Sequence, residues 1–534
     1  MLWIGLPLAY FLYFYDLGAM GLVGPDEPRY ASIAREMARS GDWITPRLWG
    51  QPWFEKPALL YWMTGAAFRL GIGPDLAPRL PVALMAASFL VFFWWMLRRE
   101  FGARAAWFAT LILGCCGGWL VSSQVGVPDM PMAAAFSAAM LLALPWIGRR
   151  DTRYLPVAAA LLGLAVLAKG PVALVLAAPL CLRFRSARDL VRPRVVAPFL
   201  AVALPWYLLC YLCNGKVFLH DFFLVHNIER FTSNALMHVQ PWWFYLPVLA
   251  GLLLPWFPLL FLVARRAAWR DPRRLYLLAW VVFGMVFFTA ATNKLPGYLL
   301  PLLPAAAALM GLALHEAEAA RAGPWLACCA VLLAAFPMAA RMLPAALAAG
   351  LSRAPLPAFQ ANWLLAGAVA AAAWLLESRG RRLAAVLLIA AGATAGTVYL
   401  KRAAAPELDR TVSARALWRE ISGRPDEVCV DQIERNWRYG LNYYSVTPLP
   451  ECSQQPRPWR LRQSPGKPPY PGAAPPAPIS QVDPHTPAVV TFPFRNVIHD
   501  TSTNTCRSPV SDDPQPVLLG FVGEQLQARR KVAL

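Results

Sequence analysis

The chain has 534 residues, of which 58% are hydrophobic and only 15% are charged, and its mean hydropathy is +0.43. A soluble domain of this size has no way to bury so much apolar surface, so these values exclude an ordinary water-soluble enzyme. The formal net charge of +20 comes largely from arginines in short loops between apolar runs. That pattern is typical of membrane topology signals, and we expect no nucleic-acid partner.

The apolar runs predict a polytopic α-helical membrane protein with about thirteen transmembrane helices. The first run has no basic segment before it and no clean cleavage site after it, so we predict a retained span and not a signal peptide. In chain order the runs lie near 2–22, 79–97, 105–124, 131–148, 154–168, 171–182, 195–213, 243–264, 275–292, 296–314, 324–340, 362–376 and 383–400.

The loops between these runs alternate in arginine content. The arginine-rich loops are "RREFGAR", "GRRDTR", "RFRSARDLVRPR", "ARRAAWRDPRR" and "ESRGRR". The positive-inside rule places them in the cytoplasm, together with the N-terminus, and places everything after Lys401 in the periplasm. The loop at 315–323 is a weak step in this alternation, because Glu316 and Glu318 accompany Arg321.

The first periplasmic loop, residues 23–78, contains the charged stretch "GPDEPRYASIAREMARSGDW". Its apolar spacing predicts a short amphipathic helix on the outer membrane surface, ended by Gly41. Asp26 and Glu27 open this helix. They either stabilise its N-terminal dipole or take part in chemistry, and the sequence leaves both roles open. The apolar positions are Tyr30, Ile33, Ala34 and Met37.

Several further charges stand alone at the predicted outer ends of the spans. Lysines that converge with carboxylates suit an anionic, lipid-linked substrate, because lysine binds phosphate and a carboxylate can accept a proton. In "TNKLPGYLL", continuous helical geometry would put Lys294 and Tyr298 on one face. The alternative is that such residues are snorkelling anchors and an aromatic belt. The lone charges are Asp129, Lys169 and Lys294, and they accompany the adjacent pair Glu55–Lys56.

A family resemblance is carried by "DEPRYASIAREMARSGDWITPRLWGQPWFEKPALLYW", "VPDMPMA", "AKGPVAL", "LPWY", "HNIERF", "PWWFYLPVL", "LPWFP" and "NKLPGYLLPLLPAAAAL". With these motifs in order over residues 1–315, the chain resembles the bacterial aminoarabinose lipid A transferases. These are GT-C glycosyltransferases related to the protein O-mannosyltransferases. The resemblance implies transfer of a sugar, favoured to be 4-amino-4-deoxy-L-arabinose, from undecaprenyl phosphate to a lipid A phosphate. It places this reaction at the periplasmic face of the inner membrane, with inversion and without a nucleotide cofactor.

The resemblance also implies roles for particular residues. One divalent metal ion, zinc or similar, can be held near Glu55 and His226 in this family. Trp53 departs from the family, which often has tyrosine there, so one hydroxyl contact to phosphate is lost. The implied catalytic residues are Asp26, Glu27 and Asp129, and the implied donor-phosphate residues are Lys56, Arg230 and Tyr298 with Lys169 and Lys294 in support.

Other functions stay open at this point. A transferase of the same group acting on a protein or another glycan is the nearest alternative, and a lipid flippase or a structural scaffold would also expose charges to the periplasm. Asp26 acts as a general base if the acceptor is a hydroxyl, and orients the acceptor if it is an ionised phosphate. The predicted partners are the undecaprenyl-phosphate sugar donor, lipid A or another periplasmic acceptor, and membrane lipids.

Two domains are predicted, a GT-C transmembrane catalytic domain at 1–400 and a small periplasmic α/β domain at 401–534 that caps the site. In the second domain "PELDRTVSARALWREIS" predicts a helix, "EVCVD" a strand, and proline-rich residues 448–487 a loop or polyproline II segment. "AVVTFPF" and "PVLLGFV" predict further strands.

The ten cysteines divide by compartment. Cys429, Cys452 and Cys506 fall in the predicted periplasmic domain, where one pair is expected to bridge. The other seven lie in or beside apolar runs and are predicted to be packing residues. The pair Cys210-x-x-Cys213 is therefore not read as a zinc or redox motif.

Overall fold

A computed structural model of the chain describes residues 2–222, 240–263, 270–350, 353–464 and 466–473. All of them belong to one compact unit, Met1–Thr486. The chain is mostly helical. The α-helices of this described part are Leu2–Ala9, Asp26–Ser40, Leu59–Arg69, Leu80–Phe101, Ala103–Gly114, Gly117–Ser123, Asp129–Leu142, Leu144–Arg149, Leu155–Lys169, Val172–Leu176, Pro193–Leu219, Tyr245–Leu252, Leu260–Val263, Pro272–Ala290, Leu303–Glu316, Ala319–Val331, Ala335–Ala349, Leu364–Ser378, Arg382–Thr411, Ala414–Ile421 and Arg435–Ser445.

Shorter helical turns extend or join these helices. Tyr10–Phe14 is a π-helix that continues the first helix. The 3₁₀ segments are Ala178–Asp189, Trp242–Phe244, Phe257–Leu259, Pro296–Leu302, Leu332–Ala334, Ala361–Trp363 and Pro425–Glu427.

Seven helices of the described residues are long and apolar enough to cross a membrane. Two bent pairs, with angles of 59° and 111°, raise this number to nine if each pair is one span. The other four predicted runs correspond to apolar helices of 10–17 residues. The chain is therefore built of membrane-type helices where its apolar runs lie, while the count of thirteen spans stays a prediction. The seven are Leu80–Phe101, Asp129–Arg149, Pro193–Phe222, Pro272–Ala290, Pro296–Glu316, Ala319–Ala348 and Arg382–Thr411.

Two of these helices form the centre of the helical bundle. Asp129–Arg149 is enclosed along its whole apolar window and Pro296–Glu316 along most of it. Small residues make this possible, since both sequences contain runs of alanine that let neighbouring helices approach closely. Each central helix begins with a segment that carries a predicted site residue, Asp129 in one and Tyr298 in the other.

The arginine-rich loops meet at one end of the bundle. Glu100 accepts hydrogen bonds from Arg149 at 2.7 and 2.8 Å, and Arg273 reaches the same carboxylate at 3.3 Å. Arg274 pairs with Glu316, which brings the weak loop at 315–323 to this end as well. The alternation read from the sequence therefore separates two ends of the molecule, and the compartment that each end faces stays a prediction.

The tail after the last long helix contains a small mixed sheet. Val428–Val430 pairs in parallel with Trp459–Arg462, which pairs antiparallel with Tyr470–Ala473. A separate hydrophobic cluster that includes Leu417, Trp437 and Leu461 lies between this sheet and two helices. The strand predicted at "EVCVD" is confirmed.

Two other expectations for the tail hold only in part. The helix Arg382–Thr411 runs past the predicted boundary at residue 400, and a second helix starts at Ala414 because Ser413 caps it by accepting from the Arg415 amide at 3.2 Å. The proline-rich segment contains two short strands, Trp459–Arg462 and Tyr470–Ala473, and is otherwise irregular at its described positions. Pro471 lies in the edge strand, where one missing N–H is tolerated. The strands predicted in "AVVTFPF" and "PVLLGFV" lie outside the described residues.

A disulfide joins Cys429 to Cys452, so one predicted periplasmic pair is indeed bridged. Cys506 lies outside the described residues. Cys213 is disulfide-bonded too, so the prediction that it is a free packing residue is wrong.

Candidate functional site

The helix Asp26–Ser40, called the loop helix from here on, carries the first part of the site. It ends as predicted at Gly41, which adopts a left-handed conformation with φ 76°. The four predicted apolar positions are all buried, but Arg29, Ala31 and Ser32 are buried as well. The loop helix is therefore covered by protein on more than one side. The prediction of an amphipathic helix with a single buried face describes it only in part.

The Glu27 side chain is buried and joins several segments of the chain that surround the site. Its carboxylate forms a bidentate pair with Arg79 at 2.7 and 2.8 Å, and both side chains are almost fully buried. The same carboxylate accepts hydrogen bonds from the backbone amides of Gly126 and Val23, each at 2.9 Å. Because each oxygen already has two partners, this geometry suits a residue that positions its neighbours.

Asp26 has a different environment from Glu27. Its side chain is 52% exposed, and one oxygen, Oδ1, accepts a hydrogen bond from Arg29 at 2.7 Å. Within the described residues, Oδ2 has no hydrogen-bond partner. Arg29 is itself buried and also pairs with Glu55 at 2.8 Å, so one guanidinium joins the two carboxylates. Asp26 is thus held firmly on one side and open on the other.

Glu55 and Lys56 complete this group. Lys56 Nζ lies 3.5 Å from Glu55, and the Tyr30 hydroxyl and Trp53 indole N–H both donate to the Glu55 carboxylate at 3.4 Å. Trp53, the departure from the family, also lies beneath the Arg29 guanidinium, at 5.7 Å from the ring centre. The residue that removes a tyrosine hydroxyl therefore supplies an aromatic face and an N–H donor.

Burial and charge act against each other at Arg29. Burial disfavours its charge, but Glu55, Tyr30 and Asp26 together outweigh that effect, and the pKa of the guanidinium is raised above its ordinary value. Burial, helped by Glu55, raises the pKa of Tyr30 well above its ordinary range. Tyr30 therefore stays protonated and serves as a hydrogen-bond donor.

The second part of the site joins three predicted residues from distant segments. Lys169 Nζ lies 2.6 Å from Asp129 Oδ1 and 5.1 Å from the centre of the Tyr298 ring. Gly297 allows this approach, since a Cβ there would lie 2.9 Å from Asp129 Oδ1. Asp129 and Lys169 are both partly exposed, at 24% and 18%. The carboxyl group of Asp129, the amino group of Lys169 and the phenol of Tyr298 therefore meet at the start of the central helices.

Lys294 does not join this group in the predicted way. The 3₁₀ helix begins at Pro296, after Leu295 in an extended conformation, so Lys294 and Tyr298 do not share a helix face. The Lys294 ammonium is buried and donates to the backbone oxygen of Ala291 at 2.8 Å. The proline fixes the chain before it as extended, which ends the i, i+4 relationship.

The metal prediction is not tested by the described residues. His226 and Arg230 lie outside the described residues. Among the residues that are described, no group of three or more His, Cys, Asp or Glu could hold a metal ion. Glu55 would have to share its carboxylate between a metal and Arg29, so this part of the prediction remains untested.

Three residues of this region were missed in the sequence reading. Arg29 stands three residues after Asp26, which is a helical pairing distance and was a usable signal. Arg79 lies next to a predicted span and resembles a snorkelling anchor. Tyr439 comes from the tail, where its ring stacks on Trp49 at 5.5 Å and lies 5.5 Å from the Arg29 guanidinium. Nothing in the local sequence marks it.

Comparison with known proteins agrees with the motifs. A family described as dolichyl-phosphate-mannose-protein mannosyltransferase matches residues 55–212, which include Glu55, Lys56, Asp129 and Lys169. The chain is 36% identical over 326 residues to the undecaprenyl phosphate-alpha-4-amino-4-deoxy-L-arabinose arabinosyl transferase of Aeromonas hydrophila, covering 57% of this chain and 58% of that protein. It is 37% identical over 331 residues to arabinosyl transferase 1 of Sodalis glossinidius, covering 58% of each. The match thus spans little more than half the length of these relatives.

The fold is similar over more of the chain. The crystal structure of ArnT from Cupriavidus metallidurans bound to undecaprenyl phosphate aligns with a TM-score of 0.68 at 28% identity, covering 84% of this chain and 85% of that one. Its apo state aligns with a TM-score of 0.67 at 27% identity, over 87% and 86%. The chain therefore resembles the aminoarabinose transferases in both sequence and GT-C fold, as its motifs predict.

Proposed function

We propose that this protein is an inner-membrane glycosyltransferase that moves 4-amino-4-deoxy-L-arabinose from undecaprenyl phosphate to a lipid A phosphate at the periplasmic face. The observation that carries the proposal is the linked group of Asp26, Arg29, Glu55 and Lys56. It stands at the start of the sequence that resembles enzymes named for this transfer. A solved relative with the same fold is bound to undecaprenyl phosphate.

In the proposed reaction an acceptor oxygen attacks the anomeric carbon of the sugar. The bond from that carbon to the phosphate oxygen breaks, and undecaprenyl phosphate leaves with the electron pair. Lys56, Lys169, Arg230 and Tyr298 are the residues proposed to bind this phosphate and offset its charge. Lys294, whose buried ammonium donates to the Ala291 backbone oxygen, is proposed to hold the turn before Tyr298 instead. Asp26, whose side chain is half exposed, orients an ionised phosphate acceptor or takes the proton from a hydroxyl acceptor.

Glu27 and Asp129 are proposed to act differently from Asp26. Glu27 fixes Val23 and Gly126 and so holds the segments on which Asp26 and Asp129 lie. Asp129 fixes the Lys169 ammonium beside Tyr298. Both carboxylates would then keep cationic and hydroxyl groups in place for the donor phosphate.

A transferase with a different acceptor is the second candidate. The matched family carries the description of a protein mannosyltransferase, which favours a protein or glycan acceptor over a transport function. A flippase would present similar charges, but would leave the bond between sugar and phosphate intact.

The test uses the full-length protein in lipid nanodiscs with undecaprenyl-phosphate aminoarabinose as donor. We expect undecaprenyl phosphate to be released only when lipid A is added, together with a mass increase of lipid A by one aminoarabinose unit. Release with a peptide or glycan acceptor alone would favour the second candidate. A donor that stays intact with every acceptor, in protein that remains folded, would refute transferase activity.

A further inference from the structure

The helix Arg435–Ser445, called the tail helix from here on, packs against the loop helix. Its Tyr439 is 7% exposed, stacks on Trp49 and lies beside the Arg29 guanidinium that binds Asp26. Tyr439 of the tail thus contacts Arg29, the residue that pairs with the predicted catalytic carboxylate of Asp26. The tail helix therefore forms one wall of the candidate site.

Arg435 stands one turn before Tyr439 on the tail helix. Its guanidinium lies 5.3 Å from the centre of the Tyr439 ring, and its side chain is exposed. Three other arginines of the tail are paired: Arg438 with Glu451, Arg462 with Asp431, and Arg415 with Asp75 and Asp409. Within the described residues, Arg435 has neither a carboxylate partner nor a hydrogen bond from its guanidinium. Its donors are thus available to an anion, while the tyrosine ring limits where the guanidinium can lie.

The charged groups around Tyr439 leave a net positive charge, which favours an anionic ligand. Arg29 is balanced by its two carboxylates, Asp26 and Glu55, and Lys56 lies beside the second of them. Arg435 adds a positive charge that forms no ion pair with any of the described residues. The planar guanidinium of arginine matches the geometry of phosphate. An additional positive charge also offsets the repulsion between a phosphate and a carboxylate such as Asp26.

We propose that Arg435, held against Tyr439, binds a phosphomonoester of the acceptor glycolipid beside Asp26. The proposal rests on the function proposed above and adds an acceptor contact from the tail. The acceptor is the source of the phosphate because the contact leads through Arg29 to Asp26, the residue assigned to the acceptor. The donor phosphate is assigned to Lys56 and the Lys169–Tyr298 group instead.

The experiment measures KM for each substrate with the full-length protein in nanodiscs, using bisphosphorylated lipid A and undecaprenyl-phosphate aminoarabinose. We expect Arg435→Ala to raise the acceptor KM about fivefold, as for loss of one partly exposed charged contact, and to leave the donor KM unchanged. Arg435→Lys should recover part of the acceptor affinity, because it keeps the charge and loses the fork. Arg419→Ala is the matched control, since Arg419 is also an exposed tail arginine and forms no ion pair with a site residue in the described part of the chain.

A binding measurement without donor separates this proposal from the proposed function. Arg435→Ala should bind bisphosphorylated lipid A about fivefold more weakly, and should bind enzymatically dephosphorylated lipid A as the wild type does. Equal affinity of wild type and Arg435→Ala for the bisphosphorylated lipid, or an increase confined to the donor KM, would overturn the proposal. If lipid A binding depends on Arg435 but no sugar is transferred by the wild type, the phosphate site stands and the transferase function fails.

Discussion

Glu27 and Arg79 form a buried ion pair that joins the loop helix to the start of the helix Leu80–Phe101. Besides the bidentate contact, Arg79 donates to the backbone oxygens of Leu17, Met20 and Gly21 at 2.7–3.2 Å. Asp26 and Glu27 are adjacent in sequence and both were predicted to be catalytic, but their side chains lie in different environments. One is open to substrate and the other is enclosed by the protein.

The Glu27–Arg79 pair should contribute strongly to the free energy of unfolding. We expect Glu27→Ala to lower the free energy of unfolding by about 3–5 kcal/mol, because it leaves the Arg79 charge buried and unpaired. Thermal unfolding of the purified protein in detergent measures this. Arg153→Ala is the control, because the Arg153–Asp151 pair is exposed at the arginine, and its loss should change stability by no more than about 0.5 kcal/mol. Normal stability of Glu27→Ala with lost turnover would instead make Glu27 a direct participant in the reaction.

Asp26 and Lys56 should control turnover. We expect Asp26→Asn and Lys56→Ala each to reduce turnover by about 10²-fold or more, the scale of positioning and charge stabilisation. Protein level in the membrane should stay near that of the wild type. Arg39→Ala, an exposed change on the same loop helix, should leave turnover unchanged. Near-normal rates in both site variants would reduce Asp26 to a helix cap and Lys56 to an anchor.

Asp129 and Lys169 should act as one unit. In a double-mutant cycle with Asp129→Asn and Lys169→Met, we expect a coupling energy of about 1 kcal/mol or more in donor binding, since the two groups touch each other. The exposed pair Asp151–Arg153 provides the comparison, with an expected coupling of about 0.5 kcal/mol or less on unfolding. Additive effects of the two site changes would show that the contact does not shape the donor site.

Tyr298 and Lys294 should differ in what they affect. Tyr298→Phe is expected to weaken donor binding by about 1 kcal/mol, roughly fivefold, the usual size of one lost hydrogen bond. Lys294→Ala is expected to lower the unfolding temperature, because the ammonium ties down the turn at Ala291 before the 3₁₀ helix. Donor titrations at low and high salt complete the measurement. A salt-dependent loss of donor affinity in Lys294→Ala would place its charge at the phosphate.

The predicted orientation can be measured directly. Reporter fusions after Arg150, Arg194 and Arg274 should read cytoplasmic, and fusions after Gln240 and Ala403 periplasmic. The reason is that the arginine-rich loops meet at one end of the bundle and the candidate site lies among the other loops. A cytoplasmic reading after Ala403 would put the tail, including Tyr439, on the wrong side for a periplasmic reaction.

The sequence by itself determined the membrane class, the positions of the helices, the loop helix with its end at Gly41, and the motifs that identify the site. These features depend on short-range properties, namely the length of apolar runs, the 3.6-residue spacing and the loop arginines. Asp129, Lys169 and Tyr298 were also singled out from the sequence, since each stands at the predicted outer end of an apolar segment.

Only the tertiary structure decided which of these residues meet. Arg79 pairs with Glu27 across 52 positions, and Tyr439 reaches Arg29 from the tail, so no local pattern contains either contact. The assumed helix face of Lys294 and Tyr298 failed because a single proline stops helical geometry before it. Local spacing specifies elements because its interactions span one turn, whereas the partner of a buried charge is chosen by how distant elements pack.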